Sequence, residues 1–383
     1  MAVIILHMTQ ATDIDVDMVQ ALDENGERRP CPEYEEALSA LSAEDLRRLY
    51  EDMVLLRSFD TQATALQRQG ELGLWPPSLG QEAAQIGLGQ AMKPQDFAFA
   101  SYREHGVAFT RGMQPAELLG IFRGTSHGGW DPQKHRFHTY AIVIGTQTLH
   151  ATGYAMGMNL QGRVGTQDPQ RDVATVACFG DGATSEGDVS EALTFAGAYN
   201  APVLFYCQNN QWAISEPVTT QTSTPLYRRG EGFGVPGLRV DGNDVLACWA
   251  VAQMALDRVR AGEGPMLIEA YTYRRGPHTT ADDPTKYRAA AEVEQWERRD
   301  PILRMQRYLH REGIIDDASE TELEQRAEQF AAEVREACRA IPDPAPAEMF
   351  AHAYREPHPL VEEEKENYLA YLASFDDDQG AEQ

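Results

Sequence analysis

Two short polar clusters interrupt the apolar middle of this sequence, Gly180-Asp181-Gly182 and Asn209-Asn210. Each closes an apolar run, Ala174 to Phe179 in the first case and Val203 to Cys207 in the second. An aspartate carboxylate and an asparagine amide oxygen are hard donors. Mg²⁺ takes up such oxygens at roughly 2.0 to 2.1 Å, in an octahedral shell completed by backbone oxygen, water or phosphate. Glycine beside the donor lets a phosphate approach the backbone closely, because no side chain intervenes and unusual dihedrals cost little. The chemistry these residues suit is a divalent ion bridging to a diphosphate. Taken singly, Gly-Asp-Gly is a common turn and Asn-Asn a common loop, so the reading depends on whether the chain brings the two together.

The elements around them say that it does. From residue 172 onward, short β-rich runs alternate with helical patterns, the signature of βαβ units and a parallel sheet. Ala174 to Phe179 and Val203 to Cys207 read as strands, and Val189, Leu193, Ala196 and Tyr199 mark one face of a helix between them. A right-handed crossover sets the carboxyl ends of its two strands side by side. The 26 residues between Gly182 and Asn209 suffice for a turn, a helix and a strand. A second unit follows: Leu238 to Val240 as strand, Asp241-Gly242-Asn243-Asp244 as turn and cap, a helix with Val245, Trp249, Ala252, Leu256 and Val259 on one face, then Met266 to Tyr273 as strand. The expected fold is α/β, a parallel sheet covered by helices on both faces. Upstream, Ser42 and Asp45 form a variant capping pair ahead of Leu46, Leu49, Met53 and Leu56 at helical spacing, and Ala141 to Ile144 reads alone as a buried strand.

The organisation expected is an acidic N-terminal arm over residues 1–41 without a core of its own, an α/β domain over 42–311, and a helical C-terminal segment over 312–383 used for packing and subunit contact. Pro342, Pro344 and Pro346 mark a break in that last segment, and Asp376 to Asp378 an acidic tail. No internal repeat is evident. With 33 Lys plus Arg against 59 Asp plus Glu, the net charge of -26 disfavours nucleic acid and anionic membranes as partners. An anionic ligand must then be held by local cations, metal and backbone amides. Five cysteines without a CxxC pair suggest neither a disulfide framework nor a zinc site, and they fit reduced thiols in a cytoplasm. Met1 to Met8 lacks the features of a signal peptide, and no run approaches the ~18 apolar residues of a membrane span.

Gly180-Asp181-Gly182 with Asn209-Asn210 resembles the thiamine diphosphate motif, and Phe179 to Ser215 resembles the alpha subunits of bacterial 2-oxo acid dehydrogenase complexes. The likeness runs from about Leu41 to about Arg311. It includes Gln67-Arg68-Gln69-Gly70, Tyr102-Arg103-Glu104, Gly145-Thr146-Gln147, Val240 to Asp244 and Gly276-Pro277-His278-Thr279-Thr280. It implies a thiamine-diphosphate-binding fold, of which this chain carries the diphosphate half. It further implies that Asp181, the side chain of Asn210 and the backbone carbonyl of Trp212 hold Mg²⁺, with Gly180, Gly182 and Ala183 lining the cofactor. Tyr102 and Arg103 would hydrogen-bond the diphosphate, although alone they read as a core tyrosine beside a surface arginine. Ile142 and Ile144 sit where the family meets the aminopyrimidine ring. His278, beside Asp282, Asp283 and Arg288, would orient the cofactor or donate a proton as the catalytic residue of this chain; the plain alternative is a histidine that organises its two aspartates. Leu74 and Trp75 correspond to apolar positions near the substrate side chain, or to plain core. Thr279 stands where mammalian relatives carry a regulatory phosphorylated serine, which leaves regulation here open. Gln208 stands where the animal branched-chain enzymes have arginine, which leaves a further phosphate contact open and resembles bacterial pyruvate-type relatives instead.

The implied reaction is oxidative decarboxylation of a 2-oxo acid with acyl transfer to a lipoyl group. Branched-chain acids such as 3-methyl-2-oxobutanoate come first, pyruvate next and acetoin third. The activating glutamate belongs in this family to a beta subunit, so an α2β2 heterotetramer and a lipoyl-bearing acyltransferase core are the expected partners. Two readings of other classes compete. A nucleotide-phosphate binding protein is disfavoured because neither Gly-x-x-x-x-Gly-Lys-Ser/Thr nor a Gly-x-Gly-x-x-Gly opening a helix after a strand occurs. A non-catalytic scaffold subunit is disfavoured because Asp181, Asn210 and Arg103 are all present.

Overall fold

The computed structural model describes residues 18–125 and 129–379, the last four of these by backbone alone. The first 17 residues, read as the start of the arm, and the last four of the chain lie outside the described residues. Among the described residues there are eight strands: β1 (Met18–Val19), β2 (Phe97–Phe99), β3 (Thr175–Gly180), β4 (Val203–Asn209), β5 (Trp212–Ala213), β6 (Glu216–Pro217), β7 (Gly237–Asp241) and β8 (Met266–Tyr271). Six of them form one sheet in the order β1-β7-β8-β4-β3-β2, every neighbouring pair parallel; β5 and β6 make a small antiparallel ribbon.

The two expected βαβ units are present, β3 to β4 through helix Gly187–Tyr199 and β7 to β8 through helix Val245–Arg260. Successive side chains of a strand face opposite ways. Val176, Cys178, Leu204 and Tyr206 therefore join one hydrophobic core, while Ala177, Phe179, Phe205 and Cys207 join a second core on the other face. Burial on both faces is why these strands read as unbroken apolar runs. Helix Ala43–Arg68 begins as the capping pair predicts: Ser42 Oγ accepts from the Asp45 amide at 3.2 Å, and Asp45 Oδ2 accepts from the Ser42 amide at 3.1 Å. Its residues Leu46, Leu49, Met53 and Leu56 are buried.

Three expectations need revision. Residues 141–144 are not a buried strand but a loop, with Ile142 60% and Val143 73% exposed. Tyr199 does not share the buried face of its helix; it is exposed and stacked on Phe195. Nor is the sequence up to residue 41 apart from the core once the described residues begin. There β1 pairs with β7, the Ala21 and Leu22 amides donate to Asp244 Oδ2 at 2.7 and 2.6 Å, and both side chains are fully buried. The same core takes in Leu323, Val334 and Cys338 of helix Asp317–Ala340, so it extends past residues 41 and 311 without a break. No helix among the described residues is long and apolar enough to cross a membrane.

Candidate functional site

Parallel pairing of Gly180 with Gln208 places the carboxyl ends of β3 and β4 level, so the loops that follow them open into the same space. That space is a cavity of about 370 Å³. Of the residues singled out from sequence, Leu74, Tyr102, Arg103, Ile142, Ile144, Gly180, Asp181, Gly182, Ala183, Asn210, Trp212 and His278 all line it. Trp75 does not. Its indole is fully buried, donates to Asp60 Oδ1 at 2.8 Å and stacks on His105 at 4.3 Å, so of the two apolar candidates only Leu74 faces the cavity.

Asp181 opens a short 3₁₀ turn at the end of β3 and is 1% exposed. Its Oδ2 accepts from Gln221 Nε2 at 3.3 Å, and no cationic side chain among the described residues reaches ion-pair distance. Burial pushes its carboxyl up to about 6, against the pull of Gln221, Arg274 and the Asn210 amide. The next glycine has a reason internal to the protein, since a Cβ on Gly182 would lie 2.7 Å from that of Ala213 in β5. Gly180 has no such reason, because a Cβ there would meet only the Gln208 carbonyl oxygen at an ordinary 3.9 Å. Asn210 is 7% exposed; its Oδ1 accepts from the Trp212 amide at 3.3 Å and its Nδ2 donates to Gln81 Oε1 at 3.2 Å. Gln211 and Ile214, on either side of β5, hold left-handed backbone (φ 71° and 55°), which is costly for non-glycine residues and concentrates at sites where geometry matters.

Opposite these oxygens stands a group of cations. Arg103 follows β2 and is 6% exposed, yet among the described residues its guanidinium meets no carboxylate: it donates to the Pro77 carbonyl, to the His278 carbonyl at 2.8 Å and to His278 Nδ1 at 3.3 Å. Arg274, fully buried just beyond β8, donates to the Trp212 and Ile214 carbonyls at 3.0 and 2.7 Å, to Tyr287 Oη at 2.8 Å and to the same His278 Nδ1 at 3.4 Å. Burial and the neighbouring Arg103 hold Arg274 down at about 10. Two buried guanidinium groups sharing one imidazole, with no carboxylate between them, suit an anion in the adjoining cavity. In a chain of net charge -26, that local cation density is informative.

Guanidinium groups only donate, so His278 Nδ1 must accept, and the neutral ring carries its proton on Nε2. Burial, Arg103 and Arg274 pull its pKa from an ordinary 6.5 to about 4, so the ring is neutral near pH 7. A folded-state value below the unfolded one means that the unfolded chain binds the extra proton first. The stability contributed is present above about 6.5 and is lost as pH falls toward 4. For this half-buried ring the expected loss is about 1–2 kcal/mol, measurable by denaturant unfolding at pH 7 and pH 4.5. His278→Asn should flatten that difference; an unchanged pH dependence in the variant would show that other groups cause it.

Several lining residues escaped the sequence reading, Phe122 and Gln81 among them. Phe122, from helix Pro115–Arg123, adds apolar wall, and Gln81 touches Asn210. Arg274, not itself among the lining residues, was signalled only by a charged pair, Arg274-Arg275, directly after a buried strand. The departure at Gln208 also has a structural meaning. Its Nε2 is spent on Glu104 Oε1 at 2.8 Å and its Oε1 has no partner, so it offers an acceptor where an arginine would offer donors.

Residues 50–348 match the family model described as "Dehydrogenase E1 component". Similar curated proteins include the 3-methyl-2-oxobutanoate dehydrogenase subunit alpha of Mycobacterium tuberculosis, 48% identical over 337 residues, covering 88% of this chain and 90% of the relative. The pyruvate dehydrogenase E1 component subunit alpha of Acholeplasma laidlawii is 37% identical, covering 87% and 95% respectively, and that of Staphylococcus aureus is 38% identical, covering 85% of each.

Proposed function

This chain belongs to the dehydrogenase E1 component family, so it is an alpha subunit of a thiamine-diphosphate-dependent 2-oxo acid dehydrogenase, and from that premise we propose that its substrate is a branched-chain 2-oxo acid of the 3-methyl-2-oxobutanoate type. The observation that carries the site assignment is the convergence of Asp181, Asn210, Arg103 and His278 on one cavity. The substrate reading is supported by the relative at 48% identity, against 37–38% for the pyruvate enzymes, and by the apolar wall of Leu74, Phe122 and Ile142.

The residues fit Mg²⁺ and a diphosphate. A buried carboxylate without a cationic partner and an asparagine oxygen held toward the same cavity are a hard donor pair, and the Trp212 carbonyl adds a third oxygen, its second lone pair already engaged by Arg274. Asp181, Asn210 and Trp212 thus hold the ion. Tyr102 and Arg103 would hold the diphosphate, and Gly180, Gly182 and Ala183 line the same cavity. Ile142 and Ile144 offer apolar surface to the aminopyrimidine ring. When bound, thiamine diphosphate supplies the electron sink on which a 2-oxo acid loses carbon dioxide. His278, neutral and carrying its proton on Nε2, serves as proton donor or cofactor-orienting group beside it.

The partner is a beta subunit, as an alpha subunit implies; in this reading it supplies the activating glutamate within an α2β2 heterotetramer, and a lipoyl-bearing acyltransferase receives the acyl group. Ile142, Val143 and Ile214 stand 55–73% exposed, with Ile142 and Ile214 on the cavity lining, an apolar rim suited to cover by another chain. Five buried, unpaired cysteines fit a cytoplasmic protein. The reconstituted α2β2 enzyme should turn over 3-methyl-2-oxobutanoate with a kcat/KM at least about tenfold above that for pyruvate, as pocket complementarity to a few methyl groups allows. The alpha chain alone should turn over neither. A preference for pyruvate would overturn the substrate assignment, and decarboxylation by the lone chain would overturn the shared site.

A further inference from the structure

Gln81 lies on the cavity lining, 1% exposed, and its Nε2 meets no hydrogen-bond partner. Buried amide donors left unmet are costly and rare, so one on a residue that lines a cavity points to a ligand acceptor. The backbone is built to put it there. Gly80 holds φ +96°, a Cβ on it would stand 2.4 Å from the Tyr273 carbonyl oxygen, and Thr272 Oγ1 donates to its carbonyl at 2.9 Å.

A chain of donors fixes which way each amide points. The Trp212 backbone N–H can only donate, so the atom of Asn210 it meets at 3.3 Å is Oδ1. Asn210 therefore turns Nδ2 toward Gln81, which must answer with Oε1, at 3.2 Å. What remains over is the Gln81 Nε2–H. Resting on the Mg²⁺ and diphosphate reading above, we propose that Gln81 is a positioning and ligand-contact residue of that site. Its Oε1 keeps the Asn210 amide from turning its N–H toward the ion, and its Nε2–H donates to an anionic oxygen of the diphosphate.

The test uses the full chain assembled with its beta partner and calorimetric titration of Mg²⁺ at fixed thiamine diphosphate, then of thiamine diphosphate at saturating Mg²⁺. Gln81→Met keeps the volume and removes both polar atoms. Gln81→Glu keeps an oxygen for Asn210 but removes the donor. Hydrogen bonds to charged groups are worth roughly ten- to a hundredfold in affinity. Gln81→Met is expected to weaken both titrations by about that factor. Gln81→Glu is expected to hold the Mg²⁺ half-saturation within about threefold while weakening thiamine diphosphate by about tenfold or more. A purely structural role would lower the thermal midpoint without moving the Mg²⁺ half-saturation. Unchanged titrations in a folded Gln81→Met protein overturn the proposal, as does a Gln81→Glu protein that loses Mg²⁺ as badly as Gln81→Met. If Gln81→Met does not fold, the Gln81→Glu titrations decide. Absence of Mg²⁺-dependent binding in the unsubstituted protein would instead remove the reading beneath, and this inference with it.

Discussion

Asp181→Asn is expected to give a protein that is more stable without ligand and no longer binds thiamine diphosphate in a Mg²⁺-dependent way. The two effects have one origin. Among the described residues the Asp181 carboxylate is buried without a cationic partner, and the one side chain that donates to it is the Gln221 amide at 3.3 Å. Removing an uncompensated buried charge while keeping the shape relieves about 1–3 kcal/mol. The amide still has an oxygen but lacks the charge that a divalent ion needs, so affinity for the ion falls by about a hundredfold or more. Thermal unfolding separates these signs. At a hundred times its Kd, a bound ligand adds about 2.7 kcal/mol of stability, which moves the melting temperature of the unsubstituted protein upward. The variant should start higher and not move. A variant that melts lower without ligand, or that still shifts with Mg²⁺ and thiamine diphosphate, would show that Asp181 is compensated inside the protein and is not the ion's ligand.

The sequence announced Asp181 and Asn210 because their position depends on local and near-local pattern. Two apolar strands and one amphipathic helix suffice to bring β3 and β4 together, and a glycine turn and an asparagine pair follow from where those strands end. Other features depend on partners that pattern does not reveal. Leu74 and Trp75 are adjacent and both apolar; the choice between cavity and core is made by Asp60 and His105, which claim the indole. Residues 141–144 are apolar because they border a cavity and an exposed rim, and a run of four such residues looks the same as a strand buried on both faces. The N-terminal stretch looks like an arm because it lacks apolar periodicity, yet β1 pairs with β7 some 220 positions away, a contact with no local trace. Gln81 is further still from legibility: a glutamine at a helix start is unremarked by any motif, and its meaning appears only when Asn210 Nδ2 is found against it.

Arg103 is expected to resist its conservative replacement. A guanidinium carries five N–H groups in a fixed fork. One Nη1 donor is committed to the Pro77 carbonyl, and the two Nη2 donors to the carbonyl and Nδ1 of His278. The Nε–H and one Nη1–H remain, two donors suited to two phosphate oxygens. Lysine has three donors on one nitrogen and cannot reach two carbonyls and a diphosphate together. Arg103→Ala should therefore weaken thiamine diphosphate binding by about a hundredfold or more, the worth of two charge-assisted bonds, and Arg103→Lys should recover no more than about tenfold of that. The substitution also removes one of the charges that depress His278, so the imidazole pKa should rise from about 4 toward its ordinary 6.5 in the alanine variant and stay low in the lysine variant. Calorimetry reads the first effect, and a proton NMR titration assigned with His278→Asn reads the second. Full affinity in Arg103→Lys would mean that charge alone is needed, and an unmoved His278 titration in Arg103→Ala would leave Arg274 and burial as the groups that keep the ring neutral. Those two outcomes are independent. Together they decide whether Arg103 acts as a fork that ties the Pro77 and His278 segments to the anion or merely as one more positive charge beside it.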